Sequence, residues 1–298
     1  MAAELDERFE AIRTIGVLGA GQMGAGIAQV SATSGFDVRL ADASLALAET
    51  GKANIAGALQ RQVERGKVTR ESADAILRRI VPVKGPEAFA PCDLVIEAAT
   101  ESTDLKMKLF KECDAAIGPL ALLASNTSSI SITKLARATA RPDRVIGLHF
   151  MNPPPLMKLV EVVRGLQTSD ETYALSCRVA GKMGKTVITS KDSPGFLVNR
   201  MLVPFLAEAC FALQEGLGTP EDIDAGAKLG LNHPMGPLEL ADLIGLDTML
   251  FILEVLQREI GDDKYRAPTL LRNLVAAGWH GKKSRRGFYV YDDKGNKI

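Results

Sequence analysis

The chain has 298 residues, and its 36 basic and 36 acidic side chains cancel, which speaks against nucleic-acid or membrane-surface binding driven by bulk charge. That length exceeds what a single hydrophobic core usually serves, so two domains are expected. Four cysteines, none in a C-x-x-C pair, and three histidines argue against a structural zinc site and fit buried free thiols in a reducing compartment.

The opening residues, Met1-Ala2-Ala3-Glu4-Leu5-Asp6-Glu7-Arg8, are too acidic for a transit peptide and lack the apolar run of a secretory signal, so a cytoplasmic location is expected. The first strong pattern is Thr14-Ile15-Gly16-Val17-Leu18, read as a strand. It is followed by Gly19-Ala20-Gly21-Gln22-Met23-Gly24 and a helical pattern from Ala25. Such a turn lets a pyrophosphate approach the backbone and rest on the free N–H groups of the helix. A lone G-x-G-x-x-G can also simply join a strand to a helix, but a second element supports the ligand reading. The run Asp37-Val38-Arg39-Leu40-Ala41 reads as a strand ending at Asp42, 18 residues beyond Gly24. An acid about 20 residues on binds the adenosine ribose 2′-hydroxyl, which favours NAD over NADP.

Helical patterns over 44–65, closed by Gly66, and from 69 or 70 to 79 then form an inserted pair. Short apolar runs at 80–83 and 93–98 read as buried parallel strands. A helix begins over 101–111, and a strand over 121–124 ends in the polar cluster Ser125-Asn126-Thr127-Ser128-Ser129, at a strand's carboxyl end, where open α/β sheets bind ligands. A helix over 131–138 and a strand over 144–148 follow, with His149 at its end. Met151-Asn152-Pro153-Pro154-Pro155 forces an extended path. The strand over 158–163 carries Glu161, and a helix over 169–183 and a strand over 185–189 complete the sheet.

This alternation predicts an α/β fold, a Rossmann-type doubly wound sheet, followed by an all-α C-terminal domain. Asp192-Ser193-Pro194-Gly195 marks the boundary, with Ser193 as a cap and Pro194 at a first helical position. Helices are expected over 194–215, 219–230, 237–244, 248–260 with Asp247 as its cap, and 268–277. The dinucleotide domain is placed at 1–190 and the helical domain at 191–298. The apolar run 196–213 is not a membrane span, because Asn199, Arg200, Pro204 and Glu208 interrupt it.

His149 is the one histidine at a strand end inside the nucleotide domain. With an ordinary pKa of about 6.5, histidine suits accepting an alcohol proton while hydride leaves the same carbon. Glu161 lies 12 residues on. A hairpin-like return would bring its carboxylate to the imidazole, fixing the tautomer and favouring the imidazolium formed during reaction. Position alone leaves open an interior histidine satisfied by backbone, and a surface carboxylate on the strand.

Several longer motifs sharpen this: Ser125-Asn126-Thr127-Ser128-Ser129, His149-Phe150-Met151-Asn152-Pro153, Met157-Lys158-Leu159-Val160-Glu161 and Pro194-Gly195-Phe196-Leu197-Val198-Asn199-Arg200. With His233-Pro234-Met235-Gly236-Pro237 and Gly245-Leu246-Asp247, they resemble the L-3-hydroxyacyl-CoA dehydrogenase family, nearly end to end. The resemblance implies an NAD-dependent oxidoreductase acting on a short-chain acyl-CoA. His149 would be the general base, Glu161 its partner, and Ser128 and Asn199 the groups that hold the substrate oxygen and the histidine side. It implies NAD contacts at Gly19, Gly21, Gln22, Met23, Gly24, Asp42, Glu101, Lys106, Ser128, Asn152 and Lys283. Since Asn199 belongs to the helical domain, the site is expected in the cleft between domains.

Arg65 and Lys67, with Arg61 beside them on the inserted pair, are candidates for the phosphates of the acyl-CoA, although basic residues on an amphipathic helix are commonly a solvated face. Two positions depart from the family's pattern: Ala58, near where some relatives carry serine, and Arg285, where glycine is common. A dehydrogenase of a free hydroxy acid or sugar acid, of the gulonate kind, and a non-catalytic NAD-binding protein of the lens-crystallin kind are the alternatives. Apolar runs at 201–213 and 249–256 point to a homodimer through the helical domain.

Overall fold

A computed structural model describes residues 2–298. The chain divides into two compact units, one up to Ser193 and one from Pro194. The first unit opens with α1 (Ala2–Ala11), which the sequence reading does not anticipate. It continues through β1 (Thr14–Leu18), α2 (Gln22–Thr33), β2 (Asp37–Asp42), α3 (Leu45–Glu64), α4 (Arg70–Arg78), β3 (Ile80–Lys84), β4 (Leu94–Glu97) and α5 (Thr103–Ala116). It closes with β5 (Leu122–Ser125), α6 (Ile132–Ala136), β6 (Val145–Phe150), β7 (Leu159–Arg164), α7 (Asp170–Lys182) and β8 (Thr186–Lys191).

The eight strands form one sheet in the order β3-β2-β1-β4-β5-β6-β7-β8. The central strands are short and apolar because helices cover both faces: Ile15, Val17, Leu94, Val95, Ile96 and Ala124 are buried. All pairings are parallel except β6 with β7, which run antiparallel with His149 opposite Glu161. β6 reaches Phe150, so His149 lies within the strand rather than beyond it. Polar residues set the helix boundaries. Ser44, Thr69 and Ser169 cap α3, α4 and α7 through their side-chain oxygens, which satisfies amides the helix leaves free.

The second unit holds α8 (Val198–Gln214), α9 (Pro220–Ala225), α10 (Pro237–Ile244), α11 (Leu246–Ile260) and α12 (Thr269–Ala276). Two boundaries differ from expectation. α8 begins at Val198, not at Pro194, because Gly195 and Phe196 take positive φ (76° and 48°) and form a turn instead. Gly245, not Asp247, caps α11, which leaves Asp247 in the first helical turn. The pattern after Thr219 splits into α9, opened by a Thr219–Asp222 capping box, and a π-helical turn at Gly226–Gly230. The run 249–256 goes mostly into the unit's own core: Met249, Ile252, Leu253, Val255 and Leu256 are buried, while Phe251 is exposed.

Two buried aspartates fasten the C-terminal strap to this helical core. Asp224 accepts the Leu238 N–H at 2.8 Å, the Glu239 N–H at 3.1 Å and the Tyr289 hydroxyl at 2.8 Å. Asp242 accepts the Phe288 and Tyr289 N–H groups, both at 3.0 Å, and the Tyr291 hydroxyl at 2.9 Å. The four cysteines are free, and burial pushes the thiols of Cys92, Cys113 and Cys210 up to about 12, as expected for packing groups and not nucleophiles. Replacing Asp242 by alanine leaves two amides and a hydroxyl buried without their acceptor. The expected loss of stability is about 3 kcal/mol or more, read from urea denaturation. An unchanged midpoint would show that the strap is held by other contacts.

Candidate functional site

The glycine turn after β1 divides its constraints. Gly19 has φ +106°, and a Cβ there would strike the Ala98 carbonyl at 2.6 Å. A Cβ on Gly24 would collide with the Gly19 carbonyl. Those two glycines are required by the chain itself. Around Gly21 the case is different, since a Cβ there would meet no heavy atom of the described residues within 4 Å. Gly21 is the N-cap of α2, and the first turn of that helix carries no acidic side chain among the described residues. Gln22 is exposed and Met23 half-buried beside it. The arrangement fits a pyrophosphate: a positive helix end without a competing cap, and backbone that a ligand can approach.

Asp42 ends β2 against this turn. Its Oδ2 accepts the Ala20 N–H at 2.6 Å and its Oδ1 the Ala43 N–H at 2.7 Å. A carboxylate offers about four acceptor positions, so Asp42 shapes the turn and keeps capacity for ribose hydroxyls.

At the carboxyl ends of β4 and β5 lies a charged network. Lys106 is 1% exposed and its Nζ donates to Glu97 Oε1 at 2.6 Å and to the Ala99 carbonyl at 3.1 Å. Glu101 Oε2 lies 3.4 Å from the same ammonium. Glu97, 2% exposed, also accepts the Ser125 hydroxyl at 2.7 Å. Through its other oxygen Glu101 accepts the Ser128 N–H at 3.1 Å and the Ser129 hydroxyl at 3.0 Å, and the Thr127 hydroxyl as well. Three of the expected contact residues, Glu101, Lys106 and Ser128, thus belong to one assembly. Lys106 is its inner, buried member and Ser128 is half-buried at its edge.

On the neighbouring strands His149 Nδ1 lies 3.0 Å from Glu161 Oε2. The antiparallel register puts both side chains on one face of the sheet, and Glu161 is fully buried. If Nδ1 is the donor to that carboxylate, Nε2 is the acceptor nitrogen of the ring. Asn126 Oδ1 accepts the Phe150 N–H at 2.9 Å, which ties the Ser128 loop to the strand of His149. The exposed Asn152 begins the proline loop. Lys185 Nζ holds that loop through the Pro154 and Met157 carbonyls at 2.6 and 2.8 Å.

Arg65 caps the end of α3, and Lys67 follows in the α3–α4 connection; both are exposed. In the second unit, Asn199 is half-buried in the first turn of α8. Lys283 lies 2.6 Å from Asp247. Burial pushes the Asp247 carboxyl up, but hydrogen bonds from Lys283 and the Thr248 N–H outweigh it and hold the group below its usual range. Arg285 has φ +60°, a left-handed conformation that glycine adopts without strain, and nothing in the structure explains the arginine at that position.

Sequence reasoning passed over Glu97 and Lys185, and placed Asn126 only as a member of the polar cluster, with no role of its own. Glu97 carried a usable signal, since a carboxylate that closes Leu94-Val95-Ile96-Glu97, a strand buried on both faces, requires a partner. Asn126 and Lys185 act on backbone groups, which leave no mark in the pattern of side chains.

Residues 14–193 match the 3-hydroxyacyl-CoA dehydrogenase NAD-binding domain, and residues 195–291 match the C-terminal domain of the same family. The chain is 53% identical over 280 residues to the 3-hydroxybutyryl-CoA dehydrogenase of Bradyrhizobium diazoefficiens, which covers 94% of this chain and 96% of that one. It is 44% identical over 284 residues to the enzyme of the same name from Mycobacterium tuberculosis, covering 95% and 99% of the two chains. The crystal structure of (S)-3-hydroxybutyryl-CoA dehydrogenase from Ralstonia eutropha superposes with a TM-score of 0.92 at 52% identity, over 95% of this chain and all of that one. A glycine turn fit for a dinucleotide, a histidine backed by a buried carboxylate and these matches across both units converge: the chain belongs to the 3-hydroxyacyl-CoA dehydrogenase family and is an NAD-dependent oxidoreductase.

Proposed function

We propose that the protein interconverts a short-chain (S)-3-hydroxyacyl-CoA, 3-hydroxybutyryl-CoA first among them, and the 3-ketoacyl-CoA, with His149 as general base and Glu161 as its partner. The observation that carries this reading is the 3.0 Å pairing of His149 Nδ1 with buried Glu161. With Nδ1 donating to that carboxylate, Nε2 is the ring nitrogen that would take the proton of the 3-hydroxyl. As that proton arrives, the ring becomes cationic, and the Glu161 carboxylate offsets the charge in surroundings where water cannot. Ser128, fixed from behind by Glu101, and Asn199 are assigned the substrate oxygen and the histidine side.

NAD, when bound, supplies the hydride acceptor at C4 of its nicotinamide. Gly19, Gly21, Gln22, Met23 and Gly24 would hold its phosphates and Asp42 its adenosine ribose. Glu101, Lys106, Ser128, Asn152 and Lys283 complete the proposed set of contacts, with Lys106 acting from its buried position through Glu97 and Glu101. Arg65 and Lys67 are proposed for the phosphates of the acyl-CoA, supported by their exposure on the helical pair.

A homodimer through the helical unit is supported by exposed Met201, Leu243 and Phe251, at 62%, 51% and 44%, large apolar side chains that a partner would cover. A cytoplasmic setting is supported by the four free cysteines. Among the described residues no helix is long and apolar enough to cross a membrane.

Acetoacetyl-CoA should be reduced with oxidation of NADH, followed by absorbance, and NADPH should be the poorer donor. Asp42→Ala should narrow that preference, and absence of turnover with every 3-ketoacyl-CoA would refute the reading. Glu161→Gln keeps the shape of the side chain and removes its charge. It should lower kcat by about 100-fold and change KM for the substrate by less than about threefold, whereas a change confined to KM would make Glu161 a binding residue. Light scattering of the purified chain should give twice the mass of one chain, and a monomer at micromolar concentration would remove the proposed interface.

A further inference from the structure

The network at the ends of β4 and β5 brings two carboxylates, Glu97 and Glu101, to the single ammonium of Lys106. One formal negative charge is left over. The inner pair is sealed from solvent, with side chains 1% and 2% exposed, so neither water nor mobile ions screens it closely. Glu101, the outer member, is 28% exposed and grips the backbone and hydroxyl of Ser128. The same loop is bonded through Asn126 to Phe150, the residue after His149. The excess charge is therefore joined, through the loop after β5, to the strand that carries the imidazole.

On the functional reading above, the hydride acceptor lies beside the carbon whose hydroxyl meets His149. An oxidised nicotinamide ring is cationic and a reduced one is neutral, so a fixed negative charge nearby distinguishes the two. We propose that Glu97, acting through Lys106 and Glu101, is a specificity-determining residue for the oxidation state of the cofactor. With Glu97 ionised, Lys106 cannot neutralise both carboxylates, and the site favours the oxidised form. With a neutral residue in its place, Lys106 offsets Glu101 fully and the preference falls.

Titration calorimetry of the full chain with NAD+ and with NADH tests this, because contacts common to both forms cancel in the ratio of dissociation constants. Glu97→Gln preserves shape: its amide oxygen still accepts from Lys106 and the Ala99 N–H, and its amide nitrogen can donate to the Ser125 hydroxyl. The ratio Kd(NAD+)/Kd(NADH) should rise about fivefold, the effect of one unit charge at partly screened range. Glu101→Gln removes the same charge at a position whose side chain is 28% exposed, keeps an amide oxygen to accept from Ser128 and Ser129, and should move the ratio the same way. A ratio within twofold of wild type in Glu101→Gln, or in a folded Glu97→Gln, overturns the proposal, and Glu101→Gln alone decides if Glu97→Gln melts. Wild-type chain that binds neither form overturns the dehydrogenase reading itself, a separate outcome from an unchanged ratio.

Discussion

The pairing of His149 with Glu161 depends on one reversal of direction in a sheet that is otherwise parallel. β6 and β7 lie antiparallel with these two residues directly opposite. A crossover helix between parallel strands would have carried the chain away for a dozen residues or more before it returned. A short proline loop brings the carboxylate straight back to the ring instead. A slip of one residue in the register would turn Glu161 to the other face of the sheet, so the contact depends on the pairing that sets His149 opposite Glu161. Val160, Val162 and Val163, all buried, pack both faces of the strand around the carboxylate.

That geometry connects to the rest of the nucleotide unit through backbone hydrogen bonds to side chains. Asn126 links the β5 loop to the end of β6, and Lys185 secures the proline loop from β8. Pro154 of that loop packs on α2 so closely that a Cβ at Gly26 would come within 2.8 Å of its ring. The helix at the glycine turn and the hairpin of the imidazole are thus in direct contact. In a close-packed interior such contacts transmit displacement instead of absorbing it.

Much of this was legible in the sequence. The central strands show as short apolar runs, because burial on both faces leaves no room for alternation, while the edge strands β3 and β8 are partly exposed. The helix ends show as well, in Ser44, Thr69, Ser169 and Thr219, since capping requires a particular side chain at a particular place. Asp42, His149 and Glu161 stood out as polar residues within or ending apolar strands. What stayed hidden has a common cause. The late start of α8 turns on the φ angles of Gly195 and Phe196, and Pro194 after Ser193 fits a helix start equally well. The cap of α11 fell to Gly245, and Asp247 in the first turn pairs with Lys283, a residue 36 positions away. The membership of Lys106 in a buried ion pair, and not at an open surface, likewise rests on a partner in another element. Local chemistry marks the elements, and competition between distant groups decides which of several local options is taken.

The turn at Gly19 to Gly24 is closed by the chain's own bonds: the Gly19 N–H to the Ala41 carbonyl at 2.8 Å, the Ala20 N–H to Asp42 at 2.6 Å, and close packing of Gly24 on Gly19. Ordering a flexible loop on binding would draw conformational entropy out of the affinity. Here the loop's entropy was lost when the domain folded, so on the proposed assignment a dinucleotide meets a cradle whose form it does not have to impose. The affinity of the cofactor is to that extent a property inherited from folding, shared with every cycle of binding and release.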